Sequence, residues 1–382
     1  MPVSLAGAAA CGIWLYLLLA RGGFWRMRDR ATPARPDGGA PAVVAVVPAR
    51  NEALVIGGAV ESLSKQNYSG PFHIVLVDDG SDDATAAVAR QAAPAELLTI
   101  LRGASLPEGW TGKLWAISQG LQQAVRFSPD YLLLTDADIV HPPGGLQDLV
   151  AQAIHGGYDM VSWMVLLRCQ SWAERALIPA YVFFFLMLYP PAWTRSSRHR
   201  TAGAAGGCIL IRREMLERIG GIARIRGELI DDCALARAVK QEGGQIWLGL
   251  TQEARSVRVD ETFGDVGRMI SRTAFPELRH KLLFLAGTAA AMAITFLVPP
   301  VLAFTGNAFG IAAWLLMSGI YLPALRFYRR SLLWAPLLPA IALFYLGATI
   351  HSAVAYWRGT GGLWKGRAQD ASKRRKRLTP LG

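Results

Sequence analysis

The chain has 382 residues, which is more than one small domain needs. Hydrophobic residues make up 52% and charged residues 18%, and the mean hydropathy of +0.27 is typical of a membrane protein. Much of the net charge of +12 lies in two stretches: residues 21–35 hold five Arg and one Asp, and residues 358–382 hold eight Lys or Arg and one Asp. This distribution favours an anionic lipid surface as partner and argues against nucleic acid.

The N-terminal segment is predicted to be a membrane anchor. Residues 3–20 are apolar and uncharged, and four arginines follow between positions 21 and 30. A signal peptide normally carries its positive charge before the apolar run. The order seen here favours an uncleaved anchor over residues 1–25, with its C-terminal side in the cytoplasm, rather than a cleaved signal. Residues 31–41, rich in Pro, Gly and Ala, are typical of a linker.

The middle of the chain shows the pattern of an α/β domain, with predicted bounds 40–275. Strand-like runs alternate with helical stretches, which predicts a mainly parallel sheet. The first run is rich in Val, as expected for a strand buried on both faces. The predicted strands are Ala42–Val47, His73–Val77, Leu97–Leu101, Tyr131–Thr135, Met160–Trp163, Cys208–Ile211 and Gln245–Leu248. The predicted helices include Ala53–Lys65, one from about residue 83 capped by Ser81 or Asp82, and Leu114–Val125.

A transmembrane part is predicted over residues 280–358, followed by a basic tail over 359–382. Its three apolar segments, Leu282–Phe304, Ala308–Leu325 and Leu332–Trp357, are each long enough to cross a bilayer core of about 30 Å. Pro299-Pro300, Pro336 and Pro339 predict breaks or kinks. A fourth segment, Ala176–Trp193, is rich in aromatic residues and lies inside the α/β region, so we expect it to lie in the membrane interface.

The side of the membrane on which the tail lies stays open. One anchor and three spans place the tail opposite the α/β domain, whereas the positive-inside rule places Lys373–Arg377 in the cytoplasm. A re-entrant or split apolar segment would resolve this conflict. The four cysteines, at positions 11, 169, 208 and 233, show neither a paired nor a zinc-binding spacing, which indicates a reducing compartment.

Acidic residues follow two of the predicted strands. Asp78 and Asp79 end the second strand, and Asp136 and Asp138 follow Tyr131–Thr135 as Asp-Ala-Asp. Open α/β sheets bind ligands at the carboxyl ends of their strands, and Asp-x-Asp on a turn suits a divalent cation that also binds phosphates. Close carboxylates need a neutralising positive charge, which favours a metal over a solvated loop. A capped turn, with Gly80 permitting a tight bend, is an equal alternative for the first pair. The pattern predicts an enzyme that handles a metal-bound diphosphate.

Two further groups are candidates for binding the diphosphate compound. Arg50 and Glu52 lie where the first strand gives way to a helix, whose N-terminal N–H groups attract anions. A polar strand-to-helix turn is the plainer alternative. Lys113 lies near the start of a predicted helix, where it can meet a diphosphate as a point charge. An exposed lysine beside a helix is equally compatible with the sequence.

Three pairs are candidates for the acceptor side or the leaving group. Asp231 and Asp232 precede a helix-like run, and a carboxylate beside a sugar acceptor can act as general base; the helix dipole alone also favours such a pair. Gly206 and Gly207 would let an acceptor approach the backbone, or form a simple turn. Arg268 and Arg272, one helical turn apart, face a leaving diphosphate or are surface or headgroup charges.

Taken together and in order, these motifs resemble the large inverting glycosyltransferase family that includes cellulose, chitin and hyaluronan synthases and ceramide glucosyltransferase. The motifs are PARNE, VDDGSDD, GK before a helix, TDAD, GGCILIRRE and IDD, over roughly residues 42–275. The resemblance implies a GT-A fold, a nucleotide-diphosphate sugar donor and Mg²⁺ or Mn²⁺. It also implies that Asp79 contacts the nucleotide, that Asp136 and Asp138 contact the diphosphate and metal, and that Asp232 is the base.

One departure from the family concerns Arg272. Processive members carry a Gln-x-x-Arg-Trp-like motif, whereas Met269–Thr273 lacks both Gln and Trp. Arg272 is therefore carried over on a weak match, which favours the addition of one sugar over polymer synthesis. The layout, with Trp364-Lys365-Gly366-Arg367 in the tail, also resembles the hopene-associated glycosyltransferases of bacterial hopanoid gene clusters. Carotenoid and ceramide-type enzymes share much of it.

These observations predict a multi-pass enzyme of the bacterial inner (cytoplasmic) membrane whose catalytic domain lies in the cytoplasm. We expect it to move one sugar from a nucleotide-sugar to a hydroxyl of an apolar lipid, within hopanoid or isoprenoid lipid biosynthesis. The alternatives are a processive polysaccharide synthase and an inactive membrane scaffold with a degenerate glycosyltransferase domain. A Rossmann oxidoreductase is disfavoured because no G-x-G-x-x-G follows the first strand.

Overall fold

The computed structural model describes residues 2–27 and 39–360, together with the strands Leu363–Trp364 and Arg367–Ala368. Most of the predicted 31–41 linker and the basic run Lys373–Arg377 lie outside the described residues. Within the described part, residues 39–167 and 193–258 form one compact unit, and residues 2–27, 168–192 and 259–360 form a second. We call these the α/β unit and the helical unit.

The elements follow one another in this order. The strands are β1 Val43–Ala49, β2 Phe72–Asp78, β3 Leu98–Arg102, β4 Tyr131–Thr135, β5 Ile139–Val140, β6 Met160–Leu166, β7 Cys208–Arg212, β8 Ile246–Ser256, β9 Leu363–Trp364 and β10 Arg367–Ala368. The α-helices are α1 Pro2–Leu19, α2 Ile56–Ser64, α3 Thr85–Gln91, α4 Gly112–Ala124, α5 Gly145–Gly156, α6 Trp172–Leu188, α7 Pro191–Arg195, α8 Arg213–Arg218, α9 Asp231–Gln241, α10 Phe263–Glu277, α11 Leu282–Met292, α12 Val298–Phe304, α13 Ala308–Phe327 and α14 Leu338–Trp357.

The α/β unit is built on an eight-stranded sheet with the order β3-β2-β1-β4-β7-β6-β8-β5. β1 pairs in parallel with β2 and β4, β2 with β3, and β6 with β8, whereas β7 and β5 pair antiparallel to their neighbours. The predicted α/β class with a mainly parallel sheet is confirmed. All seven residues of β1 are buried, because an apolar layer covers each face of the sheet.

The register of the sheet brings three chain segments to one edge. Ala49 at the end of β1 pairs with Asp78 at the end of β2, and Val46 pairs with Leu134 near the end of β4. Parallel strands point the same way, so the loops after β1, β2 and β4 leave the sheet side by side. This edge is the position that an open α/β sheet offers to a ligand.

The helical unit contains long apolar helices. Among the described residues, four helical stretches are able, by length and composition, to cross a membrane: Trp172–Arg195, Leu282–Phe304, Ala308–Phe327 and Leu332–Trp357. The interruptions predicted at the prolines are confirmed: a π-helical turn at Ala293–Leu297 precedes Pro299-Pro300, and a 3₁₀ turn at Leu332–Leu337 contains Pro336. The described apolar part of the predicted N-terminal anchor is a shorter helix, Leu5–Leu19.

Three hydrogen bonds join polar groups of these helices within the helical unit. The Trp14 indole donates to the Thr295 carbonyl at 2.8 Å, and the Tyr345 hydroxyl donates to the Leu177 carbonyl at 2.9 Å. The Ser271 hydroxyl on α10 donates to the Ala348 carbonyl on α14 at 3.0 Å. An apolar environment requires such pairing, because each unsatisfied polar group costs several kcal/mol there.

Candidate functional site

The loops after β1 and β2 are tied together. The Arg50 guanidinium donates to the Asp79 carbonyl and, at 2.8 Å, to the Gly80 carbonyl, and the Asn51 amide donates to Ser81 Oγ at 3.0 Å. Gly80 has a φ of +66°, so the predicted tight turn there is confirmed. Arg50 therefore holds the backbone of the loop that carries the fully buried Asp79.

The helix after this loop begins later than predicted. α3 starts at Thr85, and neither Ser81 nor Asp82 caps it. Asp83 instead accepts the Thr85 amide at 3.0 Å and the Ala53 amide at 3.1 Å. The predicted cap is wrong because Asp83 lies closer to the helix start and also reaches the loop after β1.

Lys113 lies at the centre of the site. It belongs to the first turn of α4, whose start is capped by the Thr111 hydroxyl. Its Nζ lies 2.9 Å from Asp136 Oδ1 and 3.1 Å from Asp231 Oδ2, with 16% of the side chain exposed. Burial lowers the pKa of Lys113, but the carboxylates of Asp136 and Asp231 outweigh burial and raise the pKa above its ordinary value. Lys113 thus joins the predicted diphosphate side to the predicted acceptor side as a permanent cation.

Asp232 lies in the first turn of α9 and faces the small residues before β7. Its Oδ2 accepts the Gly206 amide at 2.8 Å and its Oδ1 accepts its neighbour's amide, that of Cys233, at 2.7 Å. Burial, and then the charge of Asp231, raise the pKa of Asp232 to about 7, against the opposing effects of Lys113 and these two amides. A carboxyl with a pKa near 7 is suited to general base catalysis at neutral pH.

Asp138, the second carboxylate of the turn Asp136-Ala137-Asp138, is buried. Its Oδ1 lies 3.1 Å from Arg258 Nη2, and its Oδ2 accepts the Ser256 hydroxyl. Arg258 Nη2 also lies 2.8 Å from Glu52 Oε1. Arg258 therefore connects two of the predicted site residues, yet no motif in the sequence identifies it. The strand before it, β8, continues beyond the predicted Gln245–Leu248 to Ser256 through polar residues, so its end does not form an apolar run.

The cluster has an excess of negative charge that fits a divalent cation. It contains five carboxylates and two cations, a formal excess of three negative charges: Glu52, Asp136, Asp138, Asp231 and Asp232 against Lys113 and Arg258. Mg²⁺ is commonly bound by one or two carboxylates plus substrate phosphates. No group of three or more His, Cys, Asp or Glu residues forms a metal cage in residues 2–27 and 39–360. Asp136 and Asp138 are the residues that could hold such a cation if phosphates or water supplied its other ligands.

The remaining predicted site residues lie in two places. The Gly207 carbonyl accepts the Asp136 amide at 3.3 Å and the Thr135 hydroxyl at 2.9 Å, so it supports the Asp-Ala-Asp turn. Gly206 contacts Asp232, as described above. Arg268 and Arg272 belong to α10 in the helical unit, whereas every other predicted site residue lies in the α/β unit.

Part of the chain matches known protein sequences. Residues 44–220 match the family model described as Glycosyl transferase family 2. The undecaprenyl-phosphate 4-deoxy-4-formamido-L-arabinose transferase of Aeromonas hydrophila is 34% identical over 135 residues, covering 35% of this chain and 40% of that protein. An uncharacterized protein of Methanocaldococcus jannaschii is 34% identical over 118 residues, covering 31% and 44%. The chain thus spans less than half the length of these curated relatives.

A solved structure shows the same fold. The mannosyltransferase PcManGT from Pyrobaculum calidifontis, in complex with GDP-Man and Mn²⁺, matches with a TM-score of 0.57 over 92% of this chain and 98% of that chain, at 18% sequence identity. At this identity the likeness concerns the fold, which is the predicted GT-A fold. Residues 44–220 therefore match the Glycosyl transferase family 2 model, the fold is GT-A, and the described residues contain four helical stretches able to cross a membrane.

Proposed function

We propose that the protein is a membrane-bound inverting glycosyltransferase that moves one sugar from a nucleotide-diphosphate sugar to a hydroxyl of a lipid. The family match and the apolar helices support the reaction class and the membrane setting. We assign catalysis to residues 40–275, membrane attachment to residues 1–25 and 280–358, and a basic tail to 359–382. In this assignment the catalytic domain faces the cytoplasm of a bacterial inner membrane, where nucleotide-sugars are available.

The main support for the proposal is the environment of the Asp232 carboxylate. Two amides fix its carboxylate, and its raised pKa lets it take a proton at neutral pH. In the proposed step, the acceptor oxygen forms a bond to the anomeric carbon and its proton passes to Asp232. The bond between that carbon and the diphosphate breaks on the opposite face, and the nucleoside diphosphate leaves. The configuration of the sugar is inverted.

The residues around Lys113 would bind the donor. In our proposal Asp79 contacts the nucleotide, with Arg50 and Glu52 supporting its loop, and Lys113 neutralises charge on the leaving diphosphate. Asp136 and Asp138 would hold Mg²⁺ or Mn²⁺, which when bound stabilises the same charge. We place Gly206, Gly207 and Asp231 on the acceptor side. Arg272 is proposed to assist the leaving diphosphate, on the strength of the family resemblance.

A lipid phosphate is the second candidate acceptor, because the relatives from several bacteria are named as undecaprenyl-phosphate transferases. The two acceptors differ in their need for a base. A phosphate monoester is already ionised at neutral pH, since its second pKa is about 6, whereas a hydroxyl must lose its proton as it attacks. The environment of Asp232 therefore favours a hydroxyl. Among such lipids we propose a hopanoid or related isoprenoid alcohol, from the resemblance of the layout.

Incubation of membranes containing the full-length protein with a panel of labelled nucleotide-sugars tests the proposal. We expect one donor to label an organic-extractable lipid that carries a single sugar. The label should survive mild acid, because an alkyl glycoside is more acid-stable than a glycosyl phosphate. Acid-labile product would establish the lipid phosphate instead. A polymeric product would establish a polysaccharide synthase, and no transfer from any donor would support an inactive scaffold.

Replacing Gly206 by Ala should slow sugar transfer about tenfold, because a few tenths of an ångström at a reacting group is costly. A Cβ at this position would lie 3.2 Å from Asp232 Oδ2, so this carboxylate must give by a few tenths of an ångström, and 3.4 Å from Lys113 Nζ, which is ordinary van der Waals contact. Steady-state rates measure the effect. The control is Gly58→Ala on α2, where a Cβ meets only Val140 at 3.8 Å. That variant should keep the wild-type rate and gain about 0.5–1 kcal/mol of stability. An equal loss of rate in both variants would contradict the role of Gly206.

A further inference from the structure

Arg258 is fixed by the sheet rather than by a flexible loop. It lies two residues beyond the end of β8, where Ser256 and Arg255 pair with Ile139 and Val140 of β5. The Val257 amide donates to the Asp138 carbonyl at 2.9 Å. The backbone before Arg258 is therefore bonded directly to the Asp-Ala-Asp turn, and its side chain has a defined starting point beside Asp138.

Both carboxylate oxygens of Asp138 already have a contact, and one of these contacts is with Arg258. One carboxylate oxygen faces the guanidinium at 3.1 Å and the other accepts the Ser256 hydroxyl. The same guanidinium nitrogen lies 2.8 Å from Glu52 Oε1. The side chains of Asp138 and Glu52 are only 8% and 7% exposed, and that of Arg258 is 37% exposed. Two buried carboxylates thus share one cation, which makes removal of that cation costly.

The two carboxylates of the Asp-Ala-Asp turn form ion pairs with different basic side chains. Asp136 is paired with Lys113, a point charge that also contacts Asp231 and suits a phosphate equally well. Asp138 is paired with Arg258, whose Nη2 also contacts Glu52. A donor diphosphate can therefore draw Lys113 away from Asp136, whereas the second carboxylate keeps its partner.

We propose that Arg258 is a positioning residue that occupies one face of Asp138 and keeps the affinity of the donor site for a divalent cation low until a diphosphate supplies further ligands. The inference rests on the proposed function only in taking Asp138 as a cation ligand. Its consequence is an order of events: the cation enters together with the nucleotide-sugar rather than before it. Removing the positive charge of Arg258 takes away the cation that Asp138 and Glu52 share, and the oxygens of Asp138 should then attract Mn²⁺ more strongly.

Titration of the purified full-length protein with Mn²⁺, without nucleotide, tests this inference. Unbound Mn²⁺ is measured by electron paramagnetic resonance. We expect Arg258→Gln to bind Mn²⁺ at least tenfold more tightly than wild type. Arg258→Lys keeps the charge and should stay within about threefold of wild type, because a lysine also pairs with a carboxylate as a point charge. Adding UDP or GDP should tighten Mn²⁺ binding more in wild type than in Arg258→Gln.

A second variant tests the inference where Arg258→Gln does not fold. Glu52→Gln combined with Arg258→Gln removes one charge of each sign, so it should fold even where the single variant does not. It should bind Mn²⁺ more tightly than wild type. Binding no tighter than wild type in a folded Arg258→Gln and in the double variant would overturn the inference. The experiment measures Mn²⁺ binding, so its result does not depend on whether the protein transfers sugar. Tighter Mn²⁺ binding by Arg258→Gln without any sugar transfer would contradict the proposed function and leave this inference standing.

Discussion

Asp232→Asn is expected to lower the rate of sugar transfer by about 10²–10⁴-fold, the range that a positioned general base contributes. The amide oxygen of Asn can still accept the hydrogen bond from Gly206 that Asp232 accepts at 2.8 Å, so the geometry of the site should persist. The amide cannot take a proton from the acceptor. Initial rates at saturating donor measure the loss, and calorimetric titration with the nucleoside diphosphate should show affinity within about threefold of wild type.

The pH dependence of the wild-type rate provides the control. Because the pKa of Asp232 is raised to about 7, the rate should rise as the pH increases through 7, when the base loses its proton. Asp232→Glu keeps a carboxylate and should retain a rising profile at reduced rate. Asp232→Asn should lose this dependence. An Asp232→Asn enzyme with wild-type rate and profile would assign the base to another group.

The raised pKa of Asp232 also predicts that the folded protein loses stability as the pH rises towards 7. A carboxyl whose pKa is raised on folding stabilises the protein fully below its unfolded pKa, and this contribution is lost as the pH rises through the folded value, here about 7. The charged form of Asp232 therefore opposes folding above pH 7. Thermal unfolding of Asp232→Asn at pH 8 should accordingly occur at a temperature no lower than that of wild type.

The sequence predicted the centre of the sheet better than its edge. β1 and β4 are buried on both faces, so they appear as continuous apolar runs. β5 has only two residues, and the second half of β8 is partly exposed and polar, so neither produces such a run. Arg258 follows that polar half, so no pattern in the sequence predicts its contacts with Glu52 and Asp138.

The sequence also predicts site residues but not the side chains that they contact. Lys113 was predicted to face a diphosphate, but its contacts with Asp136 and Asp231 join residues far apart in the chain. Only the strand order brings them together, because β4 and the start of α9 lie at the same edge as the start of α4. Spacing in a sequence predicts local turns and caps; it does not predict which loops of a crossed-over sheet become neighbours.

Lys113→Ala is expected to lower kcat/KM by about 10²–10³-fold, because it removes a preorganised charge from the leaving diphosphate. It should also lower the free energy of unfolding by about 2 kcal/mol, less than a fully buried pair because Asp136 keeps a third of its side chain exposed. Rates and thermal unfolding measure both effects. Lys65→Ala is the matched control: Lys65 pairs with Glu61 on the exposed face of α2 and should affect neither quantity.

The ammonium group of Lys113 lies between two carboxylates. Without its ammonium group, Asp136 and Asp231 lose the cation they share and repel each other. A divalent cation can then replace the missing charge, so Mn²⁺ should raise the unfolding temperature of Lys113→Ala more than that of wild type. Lys113→Arg should show neither this extra stabilisation nor a full loss of rate, because its charge remains while its planar geometry fits two separate carboxylates less well. Equal stabilisation of all three proteins by Mn²⁺ would mean that Lys113 does not balance the charge of the site.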